Sequence, residues 1–192
     1  MISHAVETLH RRKHHQRQWV LSCEPTLLMR WLIPRWNDFT RRHPDIHIHL
    51  VAGGGAVSFS EGIDLAIRRN DFSWPEHYHA ETLFQEWIGP VCQPGKQAEW
   101  FASGSIRAEA PLLHSQTRPQ GWRRWCSITH HREPENNGIS FEHFYFTLQA
   151  AIAGMGITIA PRELVKDDLA SGLLVAPLGF VEGGCLLLFT DT

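Results

Sequence analysis

The chain has 192 residues, of which 43% are hydrophobic and 20% are charged, an ordinary composition for a globular protein that buries a substantial core in one domain or two small lobes. Its formal net charge of −2 gives no support for nucleic-acid binding by the chain as a whole. Four scattered cysteines without a Cys-x-x-Cys pair argue against a disulfide framework or zinc ribbon and favour a reducing cytosol, and no apolar run approaches the roughly 18 residues of a membrane span.

Residues 1–18 form a polar segment with a basic cluster at Arg11, Arg12, Lys13 and Arg17. The segment has no apolar core, so it does not resemble a secretory signal. The basic cluster is compatible with an arm that binds nucleic acid. We favour the simpler interpretation that this segment is a solvated helical tail or the remnant of an interdomain linker.

Residues 19–23 are predicted to form a strand, and residues 24–26 a turn that leads into a helix. Apolar side chains then recur on one side of that helix, at Leu27, Leu28, Trp31, Leu32, Trp36 and Phe39. Pro34 interrupts the stripe and is expected to kink or restart the helix, and Pro44 ends it.

Residues 45–51 alternate between apolar and polar side chains, which predicts a strand with one buried face. His47 and His49 share the polar face and could hold a metal, but two histidines alone are a weak signal, and we favour a solvated or interface face. Residues 53–55 are three glycines that invite comparison with a phosphate loop. No Gly-Lys-Ser/Thr follows, so a flexible loop is the better prediction.

Residues 63–67 are predicted to form a short buried strand with Arg68 and Arg69 at its carboxyl end, where polar groups face a cleft. Either arginine could hold a ligand carboxylate in a two-pronged pair, and a surface salt bridge explains them equally well. The extended run at residues 80–93 suits a connection between two lobes.

A strand–helix–strand unit is predicted between Gly138 and Pro161, with Ser140 as a possible N-cap. Its connections are short, as in a parallel α/β layer, where ligands bind in the turn between strand end and helix start. The unit therefore predicts ligand binding at residues 140–143.

The remaining elements of the second half are predicted from similar local patterns. They are a strand at residues 111–115, a short amphipathic helix at 122–125, a helix at 163–170 closed by Gly172, a strand at 173–177, a loop at 179–184 and a final strand at 185–190. Two α/β lobes that flank a cleft are the economical architecture for this alternation on both sides of the middle connection.

Several separate motifs, in the same order, resemble the effector-binding domain of LysR-type transcriptional regulators. They are PTLLMRWLIPR at residues 25–35, FTRRHPDI at 39–46, GIDLAIR at 62–68, PVC at 90–92, LQAAIAGMGI at 148–157, AP at 160–161 and LVAP at 174–177. The resemblance covers nearly the whole chain from about residue 19. Within the family, the chain looks most like the branch of the glycine-cleavage activator and the β-lactamase regulator.

The resemblance implies an α/β periplasmic-binding-protein type II fold with two Rossmann-like lobes, lobe I at about residues 19–84 plus 185–192 and lobe II at about 85–184. It implies a small polar effector between the lobes, a homodimer or higher oligomer, no cofactor or metal, and a cytoplasmic location without membrane contact. Family members carry an N-terminal winged helix-turn-helix and usually a C-terminal helix after the last strand, and neither is found here. We therefore expect an excised or C-terminally truncated domain that meets DNA only through a domain absent from this chain.

The effector site implied by the resemblance lies between the starts of two facing helices. Thr26 matches the Ser/Thr of the family that contacts the effector at the first of them. Phe141, Glu142 and His143 match the start of the facing helix, and Arg68 matches the loop after the third strand. Ser22, His114 and Ala160 end strands that face the same cleft.

The sequence also allows two other classes of function to be compared with effector binding. An enzyme is disfavoured, because the sequence has neither a His-Glu-x-x-His motif nor a Gly-x-Ser-x-Gly elbow. A truncated interaction module that dimerises without an effector is the main alternative, with the strand at residues 45–51 and the stripe of the first helix as its interface.

Overall fold

The structure is a computed structural model that describes residues 18–135 and 138–191. The predicted strand at residues 19–23 is confirmed as β1 (Gln18–Cys23). The basic cluster proposed as a tail or linker remnant lies outside the described residues.

Lobe I is built on three parallel strands in the order β2–β1–β3, where β2 is His47–Ala52 and β3 is Leu65–Arg69. Helix α1 (residues 25–42) connects β1 to β2. It is α-helical at its first three residues, widens into a π-helical turn over Leu28–Leu32, and becomes α-helical again over Ile33–Arg42. The interruption predicted at Pro34 takes the form of this π turn, which ends at Leu32, two residues before the proline that has no N–H to donate.

Two long antiparallel strands, β4 (Tyr78–Val91) and β10 (Val181–Asp191), connect the lobes. On one side β10 pairs with β3, and on the other β4 pairs with β9 (Thr158–Pro161). Within the described residues, six strands therefore form one curled sheet in the order β2–β1–β3–β10–β4–β9.

Lobe II places helices against two further parallel strands, β7 (Leu112–Ser115) and β8 (Gly138–Phe141). Its other elements are α2 (Gln97–Trp100), β5 (Phe101–Ala102), β6 (Ser105–Ile106), α3 (Gly121–Thr129), α4 (Phe144–Ile152) and α5 (Arg162–Ser171). The strand–helix–strand unit predicted at residues 138–161 is confirmed as β8–α4–β9. The predicted N-cap is wrong, because α4 begins at Phe144 and His143, not Ser140, occupies the cap position.

Several strand boundaries differ from the sequence-based prediction by one or two residues, as in β2, which begins at His47 and not at residue 45, and three differences change an assignment. Residues 173–177 do not form a strand and contribute a single bridge between Val175 and Cys92. The predicted loop at residues 179–184 already belongs to β10 from Val181 onward, because Ile88 of β4 offers a ladder partner there. Arg68 and Arg69 lie inside β3 rather than after it.

The main buried cluster joins side chains from both lobes and from the strands between them. It includes Leu21, Leu27, Leu113, Phe144, Leu148, Leu164 and Leu186. Separate clusters cover the outer faces, one around Trp122 and Trp125 in lobe II and one around Phe189 in lobe I. The two lobes are thus in apolar contact with each other. Among the described residues, no helix has both the length and the apolar character needed to cross a membrane.

Candidate functional site

A cleft of about 610 Å³ lies between the two lobes. Lobe I contributes the start of α1, the glycine loop at residues 53–55 and the end of β3, and lobe II contributes the segment after β7 and the start of α4. The polar and charged residues that line it are Glu24, Arg68, Arg69, Asp71, Gln116, Thr117, Arg118 and His143. This volume is in the range of sites for small molecules, about 300–1,000 Å³.

The first wall is the start of α1, where Glu24 caps the helix. Its Oε1 accepts from Thr26 N at 3.2 Å and its Oε2 from Leu27 N at 3.0 Å. These N–H groups are therefore already bonded and are not open to a ligand. Thr26 is fully buried, and its Oγ1 has no hydrogen-bond partner among the described residues. Its chain neighbours Pro25 and Leu27 line the cleft, while Thr26 lies behind them.

Arg68 lines the cleft from β3 and is held by neighbouring oxygen atoms. Nε donates to Gly55 O at 2.9 Å, Nη1 to Ser22 O at 3.1 Å and Ile67 O at 3.0 Å, and Nη2 to Ser22 Oγ at 2.8 Å. Burial lowers the pKa of Arg68 below its usual value. A Cβ at Gly53 would approach Ser22 Oγ to 2.7 Å, so only glycine lets this loop lie against the pair. Ser22 thus supports Arg68 from behind the wall.

Arg69 forms ion pairs, as one of the two interpretations of this arginine pair predicted, but its pair with Glu86 is buried and not at the surface. Its Nε lies 3.0 Å from Glu86 Oε1, and its Nη1 lies 3.4 Å from Asp71 Oδ2. Glu86 Oε1 still lacks an aligned hydrogen bond among the described residues, so the Arg69 contact is an ion pair without hydrogen-bond geometry.

The facing wall is the start of α4. His143 lines the cleft, its Nδ1 is buried without a partner among the described residues, and its ring stacks on Tyr145 with the centroids 5.2 Å apart. No described side chain caps this helix, in contrast to α1. The start of α1, at Glu24 and Pro25, and the start of α4, at His143, line the same cleft.

The other candidates lie away from the cleft lining. Phe141 packs against the main cluster, Glu142 is exposed, and Ala160 is fully buried in β9. His114 lines a separate cavity of about 20 Å³ between β7, α3 and β9. Burial lowers the pKa of His114, and its Nε2 has no partner in the described part of the chain. The structure thus brings Arg68 and His143 onto the cleft, with Thr26 and Ser22 directly behind it.

Sequence reasoning missed Arg118, which follows β7 and lines both cavities. Its side chain is only 8% exposed, and its nearest carboxylate oxygens are Glu86 Oε2 at 3.7 Å and Glu24 Oε2 at 4.0 Å. The guanidinium lies 4.6 Å from the centre of the Phe144 ring. Burial lowers the pKa of Arg118, while Glu86 and then Glu24 act to raise it. The rule that ligands bind at the carboxyl ends of parallel strands could have pointed to this segment.

The described residues do not contain a cluster of side chains that supports metal binding. Within residues 18–135 and 138–191, no three His, Cys, Asp or Glu side chains come together in a way that could hold an ion. His47 and His49 lie on the exposed face of β2, as the preferred interpretation expected.

Comparison with known proteins places this fold and cleft in a family. The family model of the LysR substrate binding domain matches residues 12–183. The chain belongs to the LysR substrate-binding domain family. The predicted family and the predicted periplasmic-binding-protein type II fold are therefore confirmed.

Relatives of this LysR domain are regulators of transcription. The HTH-type transcriptional regulator TrpI of Pseudomonas aeruginosa is 37% identical over 177 residues, covering 90% of this chain and 60% of that protein. The HTH-type transcriptional regulator DsdC of Escherichia coli is 32% identical over 174 residues, covering 86% of this chain and 56% of that protein. The solved AmpR effector binding domain of Citrobacter freundii is 27% identical with a TM-score of 0.78, covering 92% of this chain and 88% of that one.

These relatives confirm that the chain is an effector-binding domain of the LysR type, and their printed names are those of transcriptional regulators. The chain spans little more than half the length of TrpI and DsdC.

Proposed function

We propose that this LysR domain binds a small polar metabolite in the cleft and that binding controls transcription in the intact, cytoplasmic regulator. The observation that supports the proposal is a set of buried polar atoms without protein partners in the described residues. Thr26 Oγ1, Arg118 Nε and His143 Nδ1 all lie at or directly behind the cleft walls. Buried polar groups in folded proteins nearly always find partners, so their concentration here favours a polar ligand.

The walls belong to different lobes, which gives binding a mechanical consequence. A ligand that contacts Arg68 in lobe I and His143 in lobe II has a higher affinity for the arrangement in which both walls are within reach. It therefore shifts the population toward that arrangement. In a dimeric regulator, such a shift changes the angle between subunits and hence the spacing of DNA-binding domains outside this chain.

Dimerisation is the second part of the proposal, and the outer face of lobe I supports it. No residue of Ile33–Arg42 is buried, and Met29 and Ile33 are each 52% exposed. Strand β2 lies at the edge of the sheet, with Ile46 just before it 40% exposed. An apolar helix face beside a strand that is at the sheet edge within the described residues fits a second copy of the chain, since exposed apolar surface and unpaired strand edges both favour association.

The ligand proposal is tested with a metabolite panel. We expect mass spectrometry of the purified chain, or a thermal-shift screen, to find a polar metabolite that raises the melting temperature. Gly54→Trp should abolish that shift, because Gly54 lines the cleft and a Cβ there meets nothing within 4 Å, leaving room for a side chain to fill the site.

Gly95→Trp is the matched control. Gly95 lies on the exposed turn Pro94–Lys96, away from the cleft lining, so this variant should retain the shift. Absence of any binding metabolite, together with a stable dimer, would favour instead the interaction module that dimerises without an effector.

A further inference from the structure

We infer that the ligand of this cleft carries a compact anionic group, a carboxylate or a phosphate, and that Arg118 receives it. The inference rests on the proposed function, because it names the chemistry that the same cleft recognises. It starts from a comparison of the three arginines that line the cleft.

Two of these arginines already have close partners. Arg68 makes four hydrogen bonds to oxygen atoms of its own lobe, all at 2.8–3.1 Å. Arg69 lies 3.0 Å from one carboxylate and 3.4 Å from another. Arg68 therefore has its donors engaged, and Arg69 has its charge paired.

Arg118 differs from both. Its side chain makes no hydrogen bond to any residue that the structure describes, its Nε is buried without a partner, and its nearest carboxylate oxygen is 3.7 Å away, compared with 3.0 Å for Arg69. With 8% of its side chain exposed, it also has little contact with solvent. Burying a guanidinium whose N–H groups have no acceptors costs free energy. A carboxylate or phosphate that accepts hydrogen bonds from two of these N–H groups reduces that cost.

The two carboxylates near Arg118 are engaged elsewhere. Glu24 uses both oxygens to cap α1 and stays 4.0 Å from Arg118. Glu86 lies closer to Arg69, at 3.0 Å, than to Arg118. An anion in the cleft therefore competes with weak ion pairs only.

The lining of the cleft is rich in arginine. Three arginines, Arg68, Arg69 and Arg118, line it against two carboxylates, Glu24 and Asp71, and the carboxylate of Glu86, outside the lining, lies beside Arg69 and Arg118. The positive groups come from both lobes, so an anion placed between them contacts both walls.

The test titrates the chain with acetate, inorganic phosphate and acetamide at constant ionic strength, followed by backbone amide chemical shifts at residues 116–118 and at Glu24. We expect acetate or phosphate, but not acetamide, to shift these signals. Which of the two anions binds more tightly identifies the group as a carboxylate or a phosphate.

Variants then test Arg118 itself. Arg118→Gln should weaken anion binding by at least about tenfold, the order expected for a charge-assisted hydrogen bond, and Arg118→Lys should retain part of it. Glu24→Gln should strengthen binding, because it keeps an oxygen to cap α1 and removes a competing charge. Arg123→Gln is the control for charge alone, since Arg123 is 67% exposed and lies outside the cleft lining, and it should leave the affinity unchanged.

The outcomes separate this inference from the proposed function. Acetamide binding as well as acetate, or unchanged anion affinity in both Arg118→Gln and Glu24→Gln, would overturn the role of Arg118 while leaving the cleft as a metabolite site. If Arg118→Gln fails to fold, the increase expected for Glu24→Gln decides the question alone. If neither acetate nor phosphate binds, but a metabolite binds and Gly54→Trp abolishes that binding, only the anionic class of the ligand is overturned. If neither the anions nor any metabolite binds, both proposals are overturned.

Discussion

At the scale of single residues, Thr26 joins the stability of the domain to its proposed function. Its hydroxyl is fully buried and has no hydrogen-bond partner in the described chain. Thr26→Val keeps the shape and removes an unpaired polar group, so we expect the free energy of unfolding to stay constant or rise by up to about 1 kcal/mol. Affinity for the metabolite should fall if Thr26 contacts it. Urea denaturation and calorimetry measure the two effects separately.

Thr147 provides the matched control for Thr26. It is also fully buried, but its Oγ1 lies 3.3 Å from His114 O and 3.5 Å from His143 O. Thr147→Val should therefore lower the free energy of unfolding by about 1 kcal/mol, because it removes hydrogen bonds that exist. An equal loss of stability in the two variants would show that the Thr26 hydroxyl has a structural partner, and unchanged metabolite affinity would remove it from the site.

At the scale of elements, α1 and α5 are joined across the lobes by Arg30. Its Nη1 pairs with the Asp168 carboxylate and donates to Leu164 O at 3.3 Å. Arg30→Met should lower the free energy of unfolding by about 1–3 kcal/mol, because the Asp168 side chain, 11% exposed, keeps its charge without its partner. Chemical denaturation gives the value.

A second arginine on the same helix supplies the comparison for Arg30. Arg41 pairs with Asp38, but these side chains are 79% and 44% exposed. Arg41→Met should change the free energy of unfolding by less than about 0.5 kcal/mol, as expected for a solvated pair. If Arg30→Met and Arg41→Met lower the free energy of unfolding by similar amounts, the ion pair between α1 and α5 stabilises the domain no more than a solvated pair does.

Elements with a local signal were predictable from the sequence, and elements defined by a partner were not. β1, β2 and α5 follow from alternation, helical spacing or a terminal glycine, and they are found where predicted. The start of β10 was missed because its composition is that of a loop, and its ladder depends on Ile88, far away in sequence. The strand predicted at residues 173–177 does not form, although its residues are apolar, because they pair with a neighbouring segment at a single bridge.

The same distinction explains the candidate site. The two facing helix starts were predictable, because each follows a strand with a short polar turn. Arg118 was not, since its isolation depends on Glu24, Glu86 and Phe144, which come from three separate parts of the chain. A sequence pattern can place a residue at a strand end, but burial and unmet hydrogen bonds arise only when remote segments meet.

At the scale of the whole molecule, the proposed dimer predicts how association responds to one charge. Ile33→Asp places a carboxylate on the exposed apolar face of α1, where Ile33 is 52% exposed. We expect light scattering to report a dimer for the unmodified chain and a monomer for this variant, because a charge that becomes buried in an interface is costly.

Leu173→Asp is the control for this surface, because Leu173 is 49% exposed but follows α5 in lobe II. This variant should stay dimeric. A monomeric unmodified chain, or a dimer that survives Ile33→Asp, would remove this face of lobe I as the interface.

Strands β4 and β10 pair with each other from Val181 and Ile88 at one end to Asp191 and Tyr78 at the other. β10 pairs with β3 of lobe I and β4 pairs with β9 of lobe II, so the ladder between β4 and β10 joins the two lobes in one sheet. We therefore expect the domain to melt as one cooperative unit, in which a defect in the half that holds β9 is felt in the half that holds β3. The lobes that form the two walls of the cleft would then share a single unfolding transition.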